Sequence, residues 1–144
     1  MGIFFIPKRD TLIYWLSMGQ QNQNKDATTV LADIKSDIQK FCEARDWDQF
    51  HSPKDLAIGL ITEAAELLEL FRFKSPEEIQ ALFEDPPARE KISDELSDSF
   101  YFILRFAQKY NFDLTTELEA KMKKNAQKYP VKKSRGTNKK YNEL

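Results

Sequence analysis

From Ala88 to Tyr129 the chain contains neither proline nor glycine, and most of the remaining breakers stand at the edges of segments whose apolar residues recur every three or four positions. That period belongs to helices and not to alternating strands. Nothing reads as a strand pair and no internal repeat stands out, so the class expected is all-α, a helix bundle. At 144 residues and 41 % hydrophobic content the chain is long enough for one sizeable core and too short for two.

Helix starts are written plainly. Leu31, Ile34, Ile38 and Phe41 mark one face of a first helix reaching about Arg45, with Thr28 and Thr29 as candidate caps. Ser52-Pro53-Lys54-Asp55 opens a second, with Ser to cap, Pro at the first helical position and Asp to close a capping box. Ser75-Pro76-Glu77-Glu78 repeats that grammar for a short third. Asp85-Pro86-Pro87 opens a long fourth reaching about Tyr110, and a fifth runs from Asp113 to Lys128, stopped by Pro130. The main helical domain is expected over residues 28–130.

The two ends read differently. Residues 1–27 hold two short apolar runs, Ile3-Phe4-Phe5-Ile6 and Leu12-Ile13-Tyr14-Trp15-Leu16, then a polar linker from Gln20 to Lys25. Each run is far shorter than the roughly 20 residues that span a bilayer, and the charges fall between the runs, so this is an accessory extension and a poor signal peptide. Residues 131–144 form a basic tail. A net charge of −1 gives no overall pull toward nucleic acid or membrane. A lone Cys42 rules out an intrachain disulfide framework and fits a reducing, cytoplasmic setting; with His51 as the single histidine there is no Cys/His zinc set.

The second helix is apolar over most of its circumference, which makes its acids informative. At about 100° per residue, Leu56, Leu60, Leu67 and Leu70 form a stripe, with Glu63 inside it and Glu66 at its margin. On the fourth helix Ile92, Leu96, Ile103 and Tyr110 make the stripe, with Glu95 on its flank and Asp98 one turn along. Each helix thus offers an acid pair at i and i+3. Two ionised carboxylates about 4 Å apart repel by about 4 kcal/mol at an effective dielectric near 20. A hard cation among oxygen ligands answers that repulsion, and Mg²⁺ shared with substrate phosphates is the common solution in phosphoryl chemistry. A di-iron carboxylate bundle also uses inward acids, but it wants Glu-x-x-His motifs, and His51 lies in a loop.

Thr62-Glu63-Ala64-Ala65-Glu66-Leu67-Leu68-Glu69-Leu70-Phe71, followed after an interval by Asp94-Glu95-Leu96-Ser97-Asp98, resembles the Glu-x-x-Glu, Glu-x-x-Asp signature of MazG-like all-α nucleotide pyrophosphohydrolases, within them the dCTP pyrophosphatase branch. Arg45 to Lys54 ahead of the first pair, and Lys121 to Asn125 with Tyr129-Pro130 after the second, extend the resemblance over roughly residues 31–144. It implies that Glu63, Glu66, Glu95 and Asp98 are catalytic and hold Mg²⁺. It further implies a homodimer or homotetramer and a substrate that is a nucleoside triphosphate, dCTP or a modified dCTP first, cut to monophosphate and pyrophosphate in nucleotide-pool sanitation. Relatives acting on dUTP, an oxidised purine or phosphoribosyl-ATP are the alternatives, as is a non-catalytic nucleotide- or partner-binding bundle. Trp47, Phe50 and His51 are placed to stack on a base and read its edge. Lys121, Asn125 and Lys128 share one face of the fifth helix as donors to phosphate. Three positions depart from the branch: Ile38 stands for a His, Phe73 for a Trp and Phe102 for a Tyr. Phe73 and Phe102 stay among the expected substrate contacts, with fewer polar atoms to read a base.

Overall fold

The computed structural model describes residues 25–143, and every regular element among them is helical. They are α1 (Leu31–Glu43), α2 (Pro53–Glu69), α3 (Pro76–Glu84), α4 (Pro86–Lys109), α5 (Leu114–Lys128) and α6 (Val131–Ser134), with single 3-10 turns at Lys25–Ala27, Asp48–Phe50 and Tyr141–Glu143. No described helix is long and apolar enough to cross a membrane. From Leu31 onward the described chain forms one compact unit. The two apolar runs and most of the polar linker anticipated near the start lie outside the described residues.

The starts form as the sequence directs. Ser52 caps α2, its hydroxyl accepting from the Asp55 N–H at 3.2 Å, with Pro53 at the first position. The Asp55 carboxylate takes the Ser52 hydroxyl instead of the backbone N–H of a full capping box. That full box closes at α3, where Ser75 and Glu78 serve each other's backbone N–H groups. Asp85 caps α4 through the Ala88 N–H at 3.1 Å, and Asp113 caps α5. The first start differs from expectation. Thr28 does not cap α1: its N–H and that of Thr29 return to the Lys25 carbonyl, and the Thr28 hydroxyl lies 3.3 Å from the same oxygen, closing a separate 3-10 turn.

The hub is α4, against which α1, α2 and α3 all pack. Its neighbours fix their faces through specific meetings. Toward α1, Tyr101 Oη lies 3.1 Å from Cys42 Sγ, and Gln108 donates to Gln39 at 3.0 Å. Toward α2, the Phe102 ring lies so close to Gly59 that a Cβ there would stand 2.3 Å from it. Only glycine allows that approach. Because α4 is packed from several sides, its buried face is not one stripe. Leu96, counted in the stripe, is 58 % exposed, and Ile103 is exposed as well, whereas Glu95, placed on the flank, is only 6 % exposed. The core proper is small, with Cys42, Leu56, Leu104 and Ala107 nearly inaccessible.

Candidate active site

Gly59 meets Phe102, and one turn further along α2 Glu63 meets the Glu95 turn of α4, so the two helices run antiparallel with their acid pairs side by side. One carboxylate oxygen from each of Glu63, Glu66 and Glu95 lies within 4.8 Å of the other two. Their burial is graded: Glu95 is enclosed, Glu63 half-buried and Glu66 exposed. The Glu63 carboxyl is pushed up to about 7, first by burial and then by the charges of Asp98, Glu66 and Glu95, with a hydrogen bond that its protonated form donates to Glu95 adding to the effect. Asp98 therefore belongs to the same electrostatic cluster. Pairs of charges at this spacing repel by roughly 3–4 kcal/mol at an effective dielectric near 20, which adds to the cost of burial in raising the Glu63 carboxyl. On the same stretch of α4, Ser99 Oγ is buried with no hydrogen-bond partner among the described residues.

The aromatic loop forms a unit of its own. Trp47 sets its ring edge-on to Phe41 at 5.7 Å and to His51 at 6.4 Å, while Phe50 is exposed at the end of the 3-10 turn. His51 is tied down rather than free: its Nδ1 accepts from Arg105 Nε at 3.0 Å and its carbonyl accepts from Tyr110 Oη at 3.1 Å. Burial, followed by the charges of Arg105 and Lys109, holds its imidazole below its ordinary value. Phe73 follows the end of α2 with φ of 61°, a conformation that disfavours bulky residues, and its ring is 92 % exposed with the Arg72 guanidinium 4.8 Å away.

Phe102 is different. Its ring packs on Gly59 and, with Leu56, Leu60, Phe106 and Phe112, lines an open apolar groove of about 320 Å³. Lys121, Asn125 and Lys128 sit on α5, which takes no part in the main packings onto α4; Asn125 is half-buried, and the Lys128 ammonium lies 5.1 Å from the Tyr141 ring. Within one chain the structure brings the acids together. Sequence reasoning missed Arg105, 1 % exposed, whose guanidinium binds Asp48, His51 and Gln108. Its only sequence signal is a cation in the midst of an apolar helical run, Phe102 to Ala107.

Comparison with known proteins bears on this geometry. The model of the MazG-like family matches residues 58–144, a stretch that includes both acid pairs. The chain belongs to the MazG-like family. Over 114 residues it is 39 % identical to dCTP pyrophosphatase 1 of Rattus norvegicus, covering 79 % of this chain and 67 % of that protein. The Homo sapiens dCTP pyrophosphatase 1 is 35 % identical over the same length. The crystal structure of a pyrophosphatase from Archaeoglobus fulgidus superposes with a TM-score of 0.62 at 27 % identity, covering 78 % of this chain and 97 % of that one. The all-α class and the enzyme class expected of a MazG-like chain, a nucleotide pyrophosphohydrolase, stand with these relatives.

Proposed function

We propose that this MazG-like chain hydrolyses a nucleoside triphosphate of the deoxycytidine type to its monophosphate and pyrophosphate, with magnesium held by Glu63, Glu66, Glu95 and Asp98. The observation that carries the reading is the cluster itself: acids from two antiparallel helices, three of them within 4.8 Å, with Glu63 unable to ionise fully without a compensating charge. The donors are all oxygen, which suits a hard divalent cation and not a soft one. When bound, magnesium supplies positive charge against the triphosphate and acidifies water.

The chain's own residues do the rest. Glu63 in its ionised form, the exposed Glu66 and the buried Glu95, with Asp98, would hold the cation. Water adds across the bridge between the α- and β-phosphorus: the P–O bond breaks, one fragment takes the hydroxyl and the other the proton. Trp47, Phe50 and His51 ahead of α2 and Phe73 beyond its end, about 25 Å of helix apart, are the base contacts of this reading, so one base meets both groups only where two copies adjoin. Phe73 is the most telling of them, because a solvent-facing aromatic held at positive φ is costly unless the ring is used. Lys121, Asn125 and Lys128 supply donors to phosphate.

Residues 28–130 are the catalytic domain in this reading, residues 1–27 an accessory extension and 131–144 a basic segment that meets the triphosphate. The chain assembles as a homodimer or homotetramer, a state supported by the apolar face that α2 leaves open, with Ile61 70 % exposed and Ile58 and Leu68 beside it. Such a partner is also a route by which α5 of one copy could approach the acids of another. The deciding assay is pyrophosphate release from dCTP, dUTP, 5-methyl-dCTP, 8-oxo-dGTP and the ordinary dNTPs, with Mg²⁺ and with EDTA. Release from deoxypyrimidine substrates in Mg²⁺ alone is the expected result. No release from any of them overturns the reading, and a purine at the head of the ranking overturns its substrate half.

A further inference from the structure

The loop expected to read the base is built onto α4 by a group of residues that no acid or aromatic motif announces. Arg105 is 1 % exposed, and each of its three nitrogens makes a hydrogen bond: Nε to His51 Nδ1 at 3.0 Å, one terminal nitrogen to Asp48 Oδ1 and the other to Gln108 Oε1. One turn on, Lys109 donates to the Asp48 carbonyl, and Tyr110 Oη donates to the His51 carbonyl at 3.1 Å. Side chains and backbone of the 48–51 turn are therefore both held from the end of the helix that carries Glu95 and Asp98. A guanidinium buried this deeply is tolerated only when its donors are matched, so the turn and the helix end are conditional on each other.

The contact with His51 has a chemical consequence. A nitrogen that accepts from Arg105 cannot carry a proton, so the neutral ring must bear its proton on Nε2. Protonating Nδ1 would set two N–H groups against each other. The charged groups facing the ring are Arg105 and Lys109 from α4, Asp48 from its own turn and Asp55 from the start of α2, and the two cations outweigh the two acids in their effect on it. We propose that Arg105 is a positioning residue for nucleotide recognition: it locks His51 as a neutral Nε2–H donor and holds the 48–51 turn in register with the acids of α4. The locked ring favours a nucleotide presenting an acceptor, a base carbonyl or an unprotonated ring nitrogen, over one presenting an amino group at that place.

This rests on the reading of the loop as a base site, and the test separates the two. The chain has a single histidine, so the imidazole ¹⁵N spectrum of the full-length protein reports one ring without ambiguity. Expected for the wild type without nucleotide is the Nε2–H tautomer, titrating below the ordinary value of about 6.5. Arg105→Met should give a tautomer mixture and raise KM for dCTP by about tenfold, the scale of one well-made hydrogen bond, with kcat changed by less than about threefold. Arg105→Lys, which restores one donor and the charge, should recover part of both effects. An Nδ1–H tautomer in the wild type overturns the lock, and if Arg105→Met does not fold, that spectrum and the Arg105→Lys kinetics still decide. A variant that loses the tautomer but keeps KM, or that loses kcat alone, overturns the role in recognition. No hydrolysis at all by the wild type would overturn the function reading and the recognition role together, and the tautomer tells that failure from failure of the lock.

Discussion

Replacing Glu63 by Gln tests the electrostatics of the cluster without disturbing its shape. An ordinary glutamate titrates near 4.5 and Glu63 near 7. For an acid raised in the folded state the sign is fixed: below the unfolded value both states hold the proton and stability is full, and as pH rises from 4.5 through 7 the unfolded chain sheds its proton first, so stability is lost. A gap of roughly 2.5 units has a ceiling of about 3 kcal/mol at 1.36 kcal/mol per unit. Glu63 is only half-buried, and solvent screening brings this to on the order of 1–2 kcal/mol. At about 3–4 °C per kcal/mol for a chain of this size, the metal-free Glu63→Gln protein should melt roughly 3–8 °C above wild type at pH 8 and within about 2 °C of it at pH 5. Thermal melts in EDTA at the two pH values measure this. Magnesium at pH 8 should then raise the wild-type Tm and leave the variant's nearly unchanged, narrowing or inverting the difference. A gap that does not change between pH 5 and pH 8, or a variant less stable than wild type at pH 8 in EDTA, refutes the reasoning.

Four further outcomes are expected. Glu66→Ala, Glu95→Ala and Asp98→Ala should each abolish pyrophosphate release; for the exposed Glu66 the melting temperature should stay near or above wild type, and substantial residual turnover removes a residue from the ligand set. Gly59→Ala should destabilise by about 1–3 kcal/mol because its Cβ would stand 2.3 Å from the Phe102 ring, and Phe102→Leu should recover part of the loss in a double-mutant cycle of denaturant melts. Phe73→Gly should keep or gain stability, since glycine accepts the φ of 61°, while raising KM for dCTP; an unchanged KM makes the ring a bystander. Starting the chain at Thr28 should preserve kcat/KM, whereas removing residues 131–144 should raise KM and weaken its salt dependence, and steady-state kinetics at two ionic strengths check both.

The helix starts were legible because a cap is a local device. Ser52 with Pro53, Ser75 with Glu78 and Asp85 with Pro86 each satisfy exposed N–H groups within a few residues, so no distant contact is needed to make them work. Thr28 was misread for the complementary reason. A competing turn back to Lys25 was available to it, and nothing in the apolar spacing of α1 favours one turn over the other. The acid pairs were legible too, as i and i+3 neighbours on faces that are otherwise apolar.

The depth of Glu95 was not legible, and the reason lies in which partner sets the rotation of a helix. A single-stripe reading assumes one buried side, and the apolar residues of α4 do place Leu96 and Ile103 on such a side. Yet α4 is packed by α1, α2 and α3, and its rotation about its own axis follows the closest approach, that of Phe102 onto Gly59. That contact turns the Glu95 face toward α2, exposes Leu96, and leaves a carboxylate where a leucine was expected. Arg105 was hidden by the same circumstance: a cation is read as solvated until the loop that neutralises it is known, and Asp48 and His51 lie more than 50 positions earlier in the chain. Buried charge is thus decided by contacts that periodicity does not see. Among the described residues the two most enclosed charged side chains, Glu95 and Arg105, lie on a helix packed from several sides, one among the acids and the other beneath the aromatic loop. A helix so constrained cannot easily turn or slide, and it holds both halves of the proposed site at a fixed separation along its axis, about 15 Å for ten residues of helix.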